Sequence, residues 1–234
     1  ELAGAGGYEY ASASISGPGR NPRNPDLWSG GSSSGSAIAV AAGLLPFALA
    51  SETRDSIITP SAYCGVTGLS PTYGYVSRFG AMPVSWTMDK IGVMCRSAED
   101  CGHVLQAISG GDSRDRGSAG KSFYYGPEYV GELSHLTLGY NPVDFEQWPE
   151  ITTRVAFVSA LEELKSLMLR FEVTEIPDLP YGSVASTVIH AEAASAFEPF
   201  IRDGRVDGLA DRYQIAGLRA ALELKSTDYL RAQR

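Results

Sequence analysis

A run of hydroxyls carries the first hint of chemistry in this chain. Gly30-Gly31-Ser32-Ser33-Ser34-Gly35-Ser36 stands directly before the apolar segment Ala37–Ala42. Hydroxyls at the start of a helix sit beside backbone N–H groups without helical partners and at the positive end of the peptide dipoles. Negative charge that develops in a reaction is stabilised there. A plain glycine-rich N-cap turn has the same composition, so this motif alone does not decide between the two. A second feature shifts the balance: the polar turn Thr53-Arg54-Asp55-Ser56 follows the apolar run Leu45–Ala50 and puts another serine at the end of a candidate strand.

Other groupings weigh less. Gly31–Gly35 also fits G-x-S-x-G, but that elbow needs an apolar strand before it, and Pro25-Asp26-Leu27-Trp28-Ser29 is a poor one. Gly117-Ser118-Ala119-Gly120-Lys121-Ser122 has Asp115 where a phosphate loop needs its first glycine. It reads as a surface loop, with Phe123-Tyr124-Tyr125 anchoring it to the core. His103, His135 and His190 lack metal-ligand spacing to one another or to other donors, so neither a metal nor a cofactor is expected. Glu192, Arg114-Asp115-Arg116 and Glu162-Glu163 read as solvated charge, and Cys64 as a small buried hydrophobe.

The elements that must position the serines follow from periodicity and punctuation. Residues 1–36 read as an ordered loop laid over a core, punctuated by Pro18, Pro22 and Pro25 and anchored by Tyr8, Tyr10 and Trp28. Ser34–Leu44 reads as a helix buried on every side, and Leu45–Ala50 as a buried strand. Lys90–Cys95 is a strand candidate. Ser97-Ala98-Glu99-Asp100 has the spacing of a capping box and opens a helix that stops at Gly110-Gly111. After a loop over about 110–134 come a strand at Leu136–Tyr140, a helix at Thr152–Arg170, a strand at Phe171–Ile176, a helix at Val184–Phe200 and a last helix at Gln214–Arg234. This alternation argues for an α/β fold with a sheet between helices.

Composition sets the outer bounds. The 234 residues are 44% hydrophobic and 20% charged, which is enough for one substantial core and too apolar for intrinsic disorder. A formal net charge of -8 makes a nucleic-acid groove a poor reading. No apolar run approaches the roughly 18 residues of a membrane span. Cys64, Cys95 and Cys101 form an odd, sparse set that favours reduced thiols and a cytoplasmic setting. The chain opens without a methionine at Glu1 and closes inside a candidate helix, so it is expected to be the central piece of a longer protein.

Gly30–Ala50, Thr53–Ser56, Pro60–Gly74, Val76-Ser77-Arg78, Asp89-Lys90-Ile91-Gly92 and Arg96–Asp100 together resemble the amidase signature family of serine hydrolases. Ala3–Gly7 and Gly17–Pro25 are similar to its bacterial branch related to the A subunit of the tRNA-dependent amidotransferase. The resemblance implies a mixed central β-sheet covered by helices, incomplete at both ends, with residues 1–234 forming part of one domain. It also implies a Ser–cis-Ser–Lys triad. Ser56 falls on the nucleophile, Ser32 on the bridging serine that follows a cis peptide and relays a proton, and Ser33 on a supporting serine. The backbone N–H groups of Thr53, Arg54, Asp55 and Ser56 fall on the oxyanion hole. The physics is coherent: a hydroxyl needs a base and a relay, a lysine made neutral by burial can be that base, and clustered N–H groups can hold the anionic oxygen.

Two departures bear on activity. No lysine precedes Lys90, so the base is expected upstream of this chain; Lys90 itself falls in a structural segment of the family. Arg54 and Asp55 replace glycines that the family places before the nucleophile. A carboxylate about 4 Å from a developing oxyanion would oppose it by on the order of 4 kcal/mol at an effective dielectric of about 20. The expected function is therefore cleavage of a carboxamide through an acyl-enzyme on Ser56. The competing expectation is a catalytically silent or truncated protein of the same fold, with a binding role or no independent role. A small-molecule amide is the expected substrate. Neither nucleic acid nor membrane is an expected direct partner; other components of an amidotransferase or further copies of the chain are the protein partners the resemblance implies.

Overall fold

In Lys90–Cys95 (β3) successive side chains point to opposite faces, and both faces are covered. Met94 lies in a buried cluster with Ala37, Val40, Ala50, Ile57 and Cys64. Val93 and Cys95 lie in another with Val76, Cys101 and Leu105. β3 is the centre of a three-stranded antiparallel sheet, between Phe47–Glu52 (β1) and Thr67–Leu69 (β2). Helices Ser34–Ala41 (α1) and Ile58–Cys64 (α2) supply the first cluster, and Ala98–Ile108 (α3) the second. The Ser97 hydroxyl caps α3, accepting from Asp100 N at 3.1 Å.

The computed structural model describes residues 17–127, 131, 133–167 and 170–234; Tyr8, Tyr10 and the Ala3–Gly7 segment lie outside the described residues. Within them the opening loop is ordered as expected. Asn21 is buried and donates through Nδ2 to Trp28 O and Tyr63 O, while the Trp28 and Tyr63 rings meet edge to face at 4.8 Å. The described residues form two compact units, one running to Tyr125 and resuming at Tyr181–Arg234, the other spanning Gly126–Pro180.

The second unit is a βαβ arrangement. Thr137–Tyr140 (β4) and Arg170–Val173 (β5) pair in parallel, with Pro142–Phe145 (α4) and Ile151–Ser166 (α5) between them in sequence. Tyr140, Phe145, Trp148, Phe157 and Phe171 make a chain of edge-to-face rings. The chain then returns to the first unit through Tyr181–Ala196 (α6), Glu198–Arg202 (α7), Arg212–Ala221 (α8) and Ser226–Gln233 (α9). Ala193, Ile201, Val206 and Leu218 form a core shared by α6, α7, α8 and the turn carrying Val206, against which Val84 packs. Sheet and helix together give the expected α/β architecture.

Four expectations about elements need correction. The helix expected at Val184–Phe200 is interrupted at Phe197, which separates α6 from α7. α1 ends at Ala41, ahead of Leu44, with Gly43 at φ 72, and only Ser34, Ala37 and Val40 are buried; its other apolar side chains are half covered. β1 is an edge strand displaced toward its C-terminal side, so Phe47 and Leu49 are 45% and 48% exposed instead of buried. The last helix is two helices, because Lys225 adopts an extended ψ of 140° that interrupts the helical path.

Candidate active site

The serine run is shaped by close contact with α2. The Gly31–Ser32 peptide is cis, and Gly30 has φ 72; a Cβ on Gly30 would collide with the backbone of Pro60. Ser33 N donates to Ser56 O at 3.3 Å, which brings the segment carrying Ser32 against the turn carrying Ser56. Ser33 precedes α1, yet its side chain makes no cap bond. Its hydroxyl instead donates to Ser51 O at 2.9 Å and accepts from Ser51 N at 3.2 Å. Ser36 Oγ donates to Leu49 O at 2.7 Å. The run is therefore no ordinary N-cap: two of its hydroxyls satisfy the β1 edge that β3 leaves open.

After β1 the chain turns sharply through Thr53–Ile57 into α2. Among the described residues, the N–H groups of Arg54, Asp55 and Ser56 donate to no protein acceptor, whereas the next donors do. Asp55 holds φ 62, which makes it the only non-glycine residue with positive φ among the described residues. Asp tolerates this conformation better than most side chains. The Asp55 carboxylate pairs with Arg54 Nε at 3.4 Å, and the two side chains are 65% and 50% exposed. Its charge is thus screened by solvent and by a partner, well short of the full repulsion expected for an unscreened carboxylate. The Ser56 hydroxyl donates to Arg54 O across a long 3.4 Å, and no hydrogen bond joins it to the Ser32 hydroxyl.

The support beneath this turn is not visible in the sequence. Glu52, buried at the end of β1, accepts from Ile57 N at 2.9 Å, Ile58 N at 3.3 Å and Ser70 Oγ at 2.6 Å. Lys90, its cross-strand neighbour, places Nζ 4.0 Å from Glu52 Oε1, 3.4 Å from Thr53 O and 2.8 Å from Met88 O. Asp89 accepts from Thr53 Oγ1 at 2.6 Å and from Val84 N and Ser85 N. A cavity of about 230 Å³ opens beside Ser51, Thr53 and Ile91, walled by Phe79, Met82 and Trp86.

Glu192 and Asp115 depart from the solvated charge expected of them. Glu192 is 1% exposed and accepts from Ser85 Oγ, Thr87 N, Thr87 Oγ1 and Tyr229 Oη. Burial works to raise its carboxyl, but these hydrogen bonds outweigh that and hold it below the usual carboxylate range. Asp115 binds Arg78 through both oxygens, with side chains 7% and 13% exposed. That guanidinium, against the opposing effect of burial, lowers its carboxyl to about 2. All three cysteines are free and buried, and burial together with neighbouring Cys101 pushes the Cys95 thiol up to about 12. Among the described residues no three His, Cys, Asp or Glu side chains converge as a metal site, and no helix is long and apolar enough to cross a membrane.

Comparison with known proteins gives a consistent picture. The family model described as Amidase matches residues 5–226. The A subunit of the glutamyl-tRNA(Gln) amidotransferase of Syntrophomonas wolfei is 35% identical over 210 residues, which cover 85% of this chain and 42% of that relative. The corresponding protein of Halalkalibacterium halodurans is 36% identical over 206 residues, covering 83% and 42%. Among solved structures, the peptide amidase of Stenotrophomonas maltophilia superposes with a TM-score of 0.76 at 27% identity, over 99% of this chain and 53% of that one. The glutamyl-tRNA(Gln) amidotransferase A subunit of Thermotoga maritima gives 0.73 at 29% identity, over 92% and 48%. The chain spans less than half the length of the curated relatives it matches.

Proposed function

From the premise that the chain belongs to the amidase family, we propose that it carries the nucleophile, relay and oxyanion hole of a serine hydrolase acting on a carboxamide. Ser56 Oγ attacks the amide carbon, and its proton passes to Ser32 Oγ, which gives its own proton to a neutral lysine supplied by sequence preceding Glu1. The carbonyl oxygen becomes anionic and takes hydrogen bonds from the turn. The C–N bond then breaks, the relayed proton goes to the leaving ammonia or amine, and the acyl group remains on Ser56 until water removes it. Ser33 supports this arrangement by holding the site loop to the β1 edge.

The observation that carries the reading is the set of three consecutive N–H groups, Arg54 to Ser56, without protein acceptors, in a turn clasped by Ser33. Donors already fixed before reaction stabilise developing charge at no reorganisation cost. The family match crosses both compact units, which supports taking 1–234 as part of one domain. The substrate is a small amide, the other components of an amidotransferase are the candidate protein partners, and the cytoplasm, where buried thiols such as these stay reduced, is the setting we assign.

A second reading, a silent member of the fold, is favoured by Asp55, whose carboxylate stands in the turn where the family has glycine. One experiment separates the two. A fluorophosphonate probe is incubated with this chain and with a form extended by its preceding coding sequence, and the adduct is mapped. Labelling of Ser56 that disappears in Ser56→Ala supports the hydrolase; absence of labelling in both forms leaves the silent reading standing.

A further inference from the structure

Lys90 reads in the sequence as part of a structural segment, but its ammonium touches the backbone of the Ser56 turn. Thr53 C=O and Arg54 N–H are the two ends of one peptide unit. A cationic donor on that carbonyl oxygen draws electron density through the unit and makes the N–H a stronger donor. The ammonium is not a wandering surface charge. Lys90 is 20% exposed along its side chain, and Met88 O at 2.8 Å and Glu52 Oε1 at 4.0 Å fix the position from which Nζ reaches Thr53 O at 3.4 Å. Glu52 in turn grips Ile57 N and Ile58 N on the far side of Ser56. The cross-strand pair Glu52 and Lys90 therefore holds the turn at both ends.

The charges around the turn make the cation matter. Glu52, Asp55 and Asp89 bring three carboxylates, while Arg54 is half exposed and already paired with Asp55. Among the described residues, Lys90 is the cation that donates to the turn's main chain from another element. Resting on the hydrolase reading above, we infer that Lys90 is a positioning residue for amide cleavage at Ser56: its ammonium orients and polarises the Thr53–Arg54 peptide so that Arg54 N–H binds the oxyanion. Lys90 takes no proton from Ser32 or Ser56; its work is electrostatic and passes through the peptide.

The test measures fluorophosphonate labelling of Ser56 across probe concentrations in the chain with its preceding coding sequence, separating the saturating rate from the apparent probe affinity. Lys90→Met is expected to lower the saturating rate about tenfold, in the range of a weakened oxyanion donor, with probe affinity unchanged. Lys90→Arg, which keeps the cation, is expected to recover most of that loss. A purely structural role would lower the melting temperature of Lys90→Met without this split and without charge-dependent rescue. Labelling of Lys90→Met at the parent rate, or equal slowing in Lys90→Arg, overturns the inference while leaving the hydrolase reading intact. If Lys90→Met does not fold, Lys90→Gln gives the same decision, since parent-like labelling without the cation refutes it. A parent chain that is never labelled defeats the hydrolase reading itself.

Discussion

Two segments of the first unit are organised around carboxylates, and they end differently. In the segment Val84–Asp89, Asp89 takes Val84 N and Ser85 N, and Glu192 takes Thr87 N together with the hydroxyls of Ser85, Thr87 and Tyr229. The donors that these carboxylates gather are all used. In the Ser56 turn, Glu52 takes Ile57 N and Ile58 N, but the three preceding N–H groups donate to nothing among the described residues. A saturated buried network specifies and stiffens a fold. The Ser56 turn is braced by Glu52 and Ser33 and keeps three N–H groups without protein acceptors among the described residues, which is what the proposed oxyanion hole requires.

The comparison breaks if the two segments respond alike to substitution. Glu192→Ala strips the buried acceptor from four donors, of which the Ser85 hydroxyl is itself buried, and should lower unfolding free energy by about 3 kcal/mol, read from denaturant titration. Ser56→Ala should stay within about 0.5 kcal/mol of the parent in the same titration while abolishing the adduct. Glu52→Gln weakens the bracing without emptying the space and is expected to cost about 1–2 kcal/mol and to slow labelling as well. Asp115 sharpens the scaffold half of the contrast. Its folded carboxyl titrates at about 2 against about 3.9 in an unfolded chain. Its contribution is present above about pH 4 and is lost as pH falls from there through about 2. Asp115→Asn should flatten stability against pH across that window, as acid titration of the melting temperature will read. The smallest effect is expected at Asp55. Because its carboxylate is exposed and paired with Arg54, Asp55→Gly should raise labelling only about threefold, and stability by about 0.5–1 kcal/mol as φ 62 ceases to oppose a side chain.

Local signals in the sequence carried the parts of the fold that local physics decides. The apolar run within Lys90–Cys95 and the Ser97 cap marked β3 and the start of α3 correctly, because each depends on neighbours within a few residues. The exposure of β1 was not legible: an apolar run reads the same whether its strand is central or at an edge. The long final helix was overextended because nothing in the composition of Leu222–Lys225 announces an extended ψ at Lys225. Within the candidate site, Ser32, Ser33 and Ser56 stood out by type and by resemblance, and the contact between their segments is carried by Ser33 N. Glu52, Lys90 and Glu192 did not stand out. Glu192 finds Ser85 and Thr87 more than 100 residues away, and Lys90 reaches Thr53 through a strand pairing that only the folded register creates. Acidic and basic residues look solvated until a fold supplies partners for them.

The central claim is that Arg54, Asp55 and Ser56 N–H groups receive the oxygen that turns anionic. Amide proton and nitrogen shifts of the phosphonate adduct at Ser56, compared with the free chain, test it most directly. The account predicts that these three amides move downfield together, while Ile57 and Ile58, already bonded to Glu52, stay nearly still. An adduct in which the three do not move, or in which Ile57 and Ile58 respond most, would contradict it.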